Sequence, residues 1–181
     1  MMASGSYVIV IAGAYRSGTT WMFNAVRLLM QEADMTIEAS GWIRGWDGKM
    51  PDVDVWIVKD HKFFDDLAEI ADVVLTSVRE WEDATESWYR FKGVRLETWQ
   101  IAMRKKNLIM WQDTKAHRYC MPYELLVKDP ERAFADIRLC VPAKVEHAKL
   151  AWPKLQELKP PTDKDYDPET MMFRNHITAG T

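Results

Sequence analysis

Tyr7-Val-Ile-Val-Ile-Ala-Gly-Ala-Tyr-Arg-Ser-Gly-Thr-Thr20 is the stretch on which the reading of the fold turns. Its first six residues, Tyr7 to Ala12, are continuously apolar and rich in β-branched side chains, the composition of a strand buried on both faces. The segment from Gly13 to Gly18 interrupts the run. From Thr19 onward, Met22, Ala25, Val26, Leu29 and Ala33 recur at three- and four-residue steps, the stripe of a helix that faces a core. Strand, glycine-bounded loop and helix together open a βα unit.

The pattern then repeats. Val53 to Val58 is a second buried run, followed by a helix from about Phe64 to Ala71. Val73 to Val78 is a third, followed by a helix from about Asp83 to Phe91 and another from about Leu96 to Ile109. Arg118 to Met121 reads as a further short strand, which Pro122 places at an end or an edge. Asp129-Pro130 is a helix start, with Asp as N-cap and Pro in the first turn, and that helix should run to about Cys140. A last helix runs from Pro142 toward Leu158, strained or broken at Pro153. Lys159 to Pro168, with Pro160, Pro161 and Pro168, reads as an extended connector. Gly41 to Gly48, which carries Trp42 and Trp46, reads as a loop. Strands alternating with helices predict a three-layer α/β domain, a parallel β-sheet flanked by helices, with a P-loop-like phosphate-binding loop after the first strand. At 181 residues, one domain spanning 1–181 is expected.

Composition narrows the function. A chain 48% hydrophobic and 28% charged is globular rather than disordered. A formal net charge of -3 gives no global field for nucleic acid, so local basic residues must carry any anion binding. Cys120 and Cys140 are too few for a disulfide scaffold or a thiolate metal site, and no metal is expected. The apolar run Tyr7 to Ala12 is too short to cross a bilayer, and the N-terminus lacks the layout of a secretory signal. No membrane association is expected, and a reducing cytoplasm is the default compartment.

In an open parallel sheet, ligands bind beyond the carboxyl ends of the strands. After the first run comes the Gly13–Thr20 loop, after the second come Lys59 and His61, and after the third comes Arg79. Parallel strands would bring all three clusters to one edge, which suits a ligand with several anionic groups. The loop has the spacing Gly-x-x-x-x-Gly-Thr-Thr, that of a phosphate-binding loop with Thr19 in place of the NTPase lysine. Its glycines let backbone N–H groups turn around oxyanions, and the following helix adds its N-terminal partial charge. Without the lysine, and with Asp60 as the nearest candidate for a Mg²⁺ ligand, an ATP or GTP reading is weakened.

These residues resemble those of a known family, the PAPS-dependent sulfotransferases (PAPS being 3′-phosphoadenosine-5′-phosphosulfate). Tyr15-Arg-Ser-Gly-Thr-Thr-Trp21 is similar to the family's 5′-phosphosulfate loop, usually Pro-Lys-Ser-Gly-Thr-Thr-Trp. Arg16 replaces the lysine of the cytosolic branch, as in the similar Arg-Ser-Gly-Thr-Thr of the tyrosylprotein branch. Lys59-Asp60-His61 resembles the family's Lys-Thr-His. Arg79 through Ser87 resembles its 3′-phosphate segment, and Asp83 falls where an Asp is common. Tyr123-Glu124 with Lys128-Asp129-Pro130-Glu131 resembles its Tyr-Glu-Asp segment. Phe173-Arg174-Asn175-His176 with Gly180 faintly resembles its Phe-Arg-Lys-Gly tail, without the Lys-Gly pair. The motifs run in the family's order from about Tyr7 to Arg174. The chain is short for the family, so acceptor-binding insertions are expected to be missing.

The resemblance implies a sulfotransferase that moves a sulfuryl group from PAPS, leaving PAP, to a hydroxyl or amine of a small-molecule, glycan or peptide acceptor by in-line displacement. It implies His61 as general base, with Lys59 and Arg16 beside it as catalytic cations. It also implies Arg16, Ser17, Gly18, Thr19, Thr20, Trp21, Arg79, Ser87, Tyr123 and Arg174 as nucleotide contacts. Imidazole titrates near neutrality and suits the base's task, and a guanidinium can grip phosphosulfate oxygens bidentately. Several positions have a second reading. Lys59 either stabilises the bridging oxygen or is solvated, Trp21 either stacks on adenine or begins the core face of its helix, and Tyr123 either meets the nucleotide or packs at the strand end. Ala84, Trp88 and Phe91 form the inward stripe of their helix, with Ser87 beside the core. Phe63, Phe64, Trp42 and Trp46 belong to an acceptor surface or, for the first two equally, to the core. Two rival functions stay open: a small P-loop kinase-like phosphotransferase, and a non-catalytic module that binds PAP or another anion.

Overall fold

The apolar run near the N-terminus becomes the central strand of a five-stranded sheet. A computed structural model describes residues 6–41, 46 and 48–158. In chain order these form β1 (Tyr7–Gly13), α1 (Thr19–Glu32), β2 (Ile37–Gly41), β3 (Val55–Lys59), α2 (Asp65–Ile70), β4 (Val73–Val78), α3 (Trp81–Lys92), α4 (Thr98–Gln112), β5 (His117–Pro122), α5 (Tyr123–Lys128), α6 (Pro130–Cys140) and α7 (Val145–Glu157). The strands lie in the order β2-β3-β1-β4-β5, and every neighbouring pair is parallel.

Alternation along β1 divides the core into two layers. Ile9 and Ile11 join α1, α6 and α7 on one face, packing with Met22, Phe23, Leu29, Phe134, Ile137 and Leu155. Val8, Val10 and Ala12 face the other way, toward Leu67 of α2 and Trp111 of α4. The result is the expected three-layer α/β architecture. Phe63 and Phe64 pack against the second layer, Phe63 edge-on to Trp111 at 4.8 Å, so core packing accounts for both. Trp46 does the same against Trp56 at 5.4 Å, its Nε1 donating to the Lys49 carbonyl at 2.7 Å.

Several boundaries differ from the sequence reading. β3 starts at Val55, because the Asp54 carboxylate accepts from both the Thr36 N–H and hydroxyl and so ends the preceding turn. Edge strand β2 carries no clear alternation and was not expected; it pairs only with β3 and is nowhere fully buried. The six-residue α5 was not expected either. β5 is an edge strand, as Pro122 implied. The Asp129 side chain caps α6 by accepting from the Arg132 N–H at 3.0 Å. α7 runs through Pro153 without the break that was one of the two expected outcomes. Pro153 and Lys149, whose carbonyl loses its N–H partner, are both exposed, while Ala151 and Leu155 anchor the buried face. Among the described residues no helix is long and apolar enough to cross a membrane. Trp42, the 159–168 connector, and Phe173, Arg174, Asn175, His176 and Gly180 lie outside the described residues.

Candidate functional site

With all strands parallel, Gly13, Lys59 and Val78 end at the same edge of the sheet, and the residues that follow them meet there. The loop after β1 turns through three left-handed positions, Gly13 (φ +154°), Arg16 (φ +64°) and Gly18 (φ +90°). Such turns aim successive N–H groups to one side and form an anion-binding concavity. No side chain caps α1, which begins directly after Gly18, so its first-turn N–H groups face the same region. At Gly13 a Cβ would lie 2.6 Å from both the carbonyl oxygen and Oγ of Ser77, so only glycine lets the loop lie this close to β4.

Ser17 and Ser77 fasten that contact. The Ser17 hydroxyl is 2.5 Å from the Ala14 carbonyl and 2.6 Å from Ser77 Oγ. A carbonyl can only accept, so Ser17 donates to Ala14 and Ser77 donates to Ser17. Fully buried, the Ser17 hydroxyl is committed to holding the loop, which leaves its backbone for any ligand. Arg16 is the one non-glycine in the loop with positive φ, and its carbonyl accepts from Arg79 Nη1 at 3.1 Å, which holds the strained turn.

The Arg79 guanidinium thus reaches the Arg16 main chain, while the Arg16 side chain turns toward α3. Arg16 Nε donates to Ser87 Oγ at 3.1 Å, and its guanidinium lies 5.0 Å over the Phe91 ring. Arg79 lies 4.2 Å over the Tyr123 ring, and its Nε is buried without a hydrogen-bond partner. Ser87 is itself buried, so the stripe of α3 turns Ala84 and Ser87 inward, while Trp88 and Phe91 are only half-buried. That corrects the expected position of Ser87 beside the core: its hydroxyl points at the cationic loop. Tyr123 meets a cation at the strand end, and Trp21 is half-buried against the first core layer.

Lys59 and His61 complete the edge. Lys59 Nζ donates to Thr20 Oγ1 at 2.7 Å, bringing from β3 an ammonium to the loop that lacks its own lysine. Lys59 is buried, and burial pushes its ammonium down to about 8 against the opposing pull of Asp60. The buried His61 ring places Nδ1 2.8 Å from the Gly13 carbonyl. Because that carbonyl only accepts, Nδ1 carries the proton and Nε2 is the basic nitrogen. Burial first, then the Lys59 charge, and to a lesser degree Arg104, push His61 down to about 3, with the Gly13 carbonyl opposing. The imidazole is neutral throughout the physiological range.

Four cations and a neutral histidine thus border one edge of a protein whose net charge is -3. Among the described residues no cluster of three or more His, Cys, Asp or Glu is arranged to hold a metal ion. No protein-family profile and no curated protein matches the sequence. The fold, however, has counterparts among solved structures.

The fold resembles that of retinol dehydratase. One such structure, in complex with retinol and PAP, matches at a TM-score of 0.55, covering 87% of this chain and 66% of that one at 10% identity. A second, in complex with androsterone and inactive cofactor PAP, matches at a TM-score of 0.54, covering 82% of this chain and 64% of that one at 11% identity. The likeness at such identities is one of fold, and this chain spans less than two thirds of either protein.

Two features of the edge escaped the sequence reading. Arg104 of α4 lies 4.0 Å over the Tyr15 ring and 4.7 Å from that of Trp88, while Tyr15 stacks on His61 at 4.2 Å. Nothing in the run Arg104-Lys105-Lys106 separates the inward arginine from its two exposed neighbours except α4's weak periodicity. Leu126 of the unexpected α5 packs over Gly18, where a Cβ would come within 2.7 Å of Leu126 Cδ2.

Proposed function

We propose that this chain binds a nucleotide of the PAP/PAPS class along the carboxyl edge of its sheet. The observation that carries the reading is the joining of Arg16, Arg79 and Ser87 around the uncapped start of α1, with a buried Arg79 Nε that has no acceptor. Arg16 and Arg79 bring two positive charges to the same loop, and a ligand with two separated anions answers both. The PAP-bound state of the fold's solved counterparts adds support. On this reading the N–H groups of Ser17, Gly18, Thr19 and Thr20, with Arg16 and Lys59, take the 5′ group. Arg79 and Ser87 take the 3′-phosphate, joined by Arg174 from the tail, and Trp21 and Tyr123 border the nucleotide.

Thermal unfolding with PAP, ATP and GTP, each with and without Mg²⁺, tests it. PAP alone should raise Tm, since ligand at a hundredfold its Kd adds about 2.7 kcal/mol. Arg79→Ala should cost PAP roughly 1.5–3 kcal/mol of affinity and adenosine 5′-phosphosulfate, which has no 3′-phosphate, far less. Stabilisation by Mg-ATP with none by PAP would replace this reading with the kinase-like one.

A second, finer reading makes the same site a sulfotransferase, and the tautomer of His61 favours it. With Nδ1 committed to Gly13, Nε2 accepts the proton of the acceptor's hydroxyl or amine as that atom bonds to sulfur. The bond from sulfur to the bridging oxygen breaks, and its electron pair stays on the 5′-phosphate of the departing PAP. Lys59 and Arg16 hold the charge that builds there. Without that chemistry the chain is a PAP-binding module.

A further inference from the structure

Arg104 has no task in nucleotide binding as laid out above, and its surroundings are unusual for a guanidinium. The faces of Tyr15 and Trp88 flank it at 4.0 and 4.7 Å, and Tyr15 and Trp88 meet edge-on at 5.0 Å. Ring faces engage the flat surface of a guanidinium and leave its N–H edge to find acceptors in its own plane. Nη1 on that edge is buried and has no hydrogen-bond partner. Among the described residues no carboxylate pairs with it. A buried charged donor left unmet is costly, and such groups are retained where a ligand meets them. The guanidinium is close enough to His61 for its charge to help keep the imidazole neutral.

We propose that Arg104 is a specificity residue that binds a carboxylate or other oxyanion on the acceptor, while the acceptor's reacting hydroxyl lies at His61 Nε2. The acceptor is then an anionic hydroxyl compound. The inference rests on the assignment of this edge as the reaction site, but its test is independent of nucleotide.

Binding of 4-hydroxybenzoate and of its uncharged analogue 4-hydroxybenzamide is measured by ligand-observed NMR titration, with and without saturating PAP. The wild type should prefer the carboxylate by about tenfold or more, the scale of a charge-assisted pair. Arg104→Gln should bring the ratio close to one, and Arg104→Lys should restore part of it. A residue that merely packs between two rings would alter both affinities alike and leave the ratio unchanged. Equal affinities in the wild type overturn the proposal whether or not the variants fold, as does a preference that survives in Arg104→Gln. Failure of PAP to bind would sink the nucleotide reading, while the comparison made without PAP still decides Arg104.

Discussion

At the scale of single residues, His61 is the buried titratable group on which the sulfotransferase reading rests. Its Nδ1–H is spent on the Gly13 carbonyl, and its burial beside Lys59 removes the positive form from the accessible range. If His61 is the base, His61→Ala should lower transfer from PAPS about 10²–10⁴-fold and leave PAP affinity nearly intact. The profile of kcat/KM for the nucleotide reports the free protein, so its ascending limb should lie near His61's pKa of about 3. Between pH 5 and pH 8 no His61-dependent rise should appear. A wild-type limb centred near 6.5 that vanishes in the variant would mean that His61 titrates as a solvated imidazole. The motif Lys59-x-His61 marked the residue as a candidate base from sequence. Its titration range was not, because that depends on burial and on charges brought from other elements.

Among the elements, α1 and its loop depend on a helix far along the chain. Gly18 has φ +90°, where a side chain is strained, and Leu126 of α5 fills the space a Cβ would need. Gly18→Ala should therefore destabilise by about 1–3 kcal/mol, combining backbone strain with the clash. Gly93 at the end of α3 also has positive φ (+69°) but open space around it, so Gly93→Ala should cost about 1 kcal/mol from strain alone. Adding Leu126→Ala to Gly18→Ala should recover part of the loss, visible as a coupling energy in urea unfolding. Additive losses would show that α5 does not press on the loop. The glycine spacing announced a tight turn, but the reason that glycine is required at 18 lies in a helix that sequence reading did not find.

For the whole molecule, the cationic edge is offset by acidic residues elsewhere, giving a net charge of -3. Proton linkage at His61 should appear in global stability. The unfolded imidazole has a pKa near 6.5 and the folded one about 3. Between those values the unfolded chain takes up a proton that the folded chain refuses. Stability from this group is therefore complete above pH 6.5 and is lost as pH falls toward 3, with a slope approaching about 1.4 kcal/mol per pH unit. Urea unfolding at pH 7, 6 and 5 should show that slope in the wild type and a shallower one in His61→Gln. Parallel dependences in the two proteins would contradict the buried, neutral state.

What the sequence by itself determined was the alternation of the main strands and helices, the burial of the Tyr7–Ala12 run on both faces, and the arrival of Arg16, Lys59, His61 and Arg79 at one edge. Those follow from local rules, hydrophobic period and turn chemistry, and from the parallel connection of βα units. The unbroken course of α7 through Pro153, and edge strand β2, were settled by neighbours that local pattern does not contain. Only the tertiary structure decided that Ser87 answers to Arg16, that Arg104 joins the histidine through Tyr15, and that Leu126 seals Gly18. Each of these contacts joins residues distant in the chain, and contact across that distance is set by how helices seat on the sheet. Such packing also governs which charges leave water, and with that the state in which Lys59 and His61 stand ready.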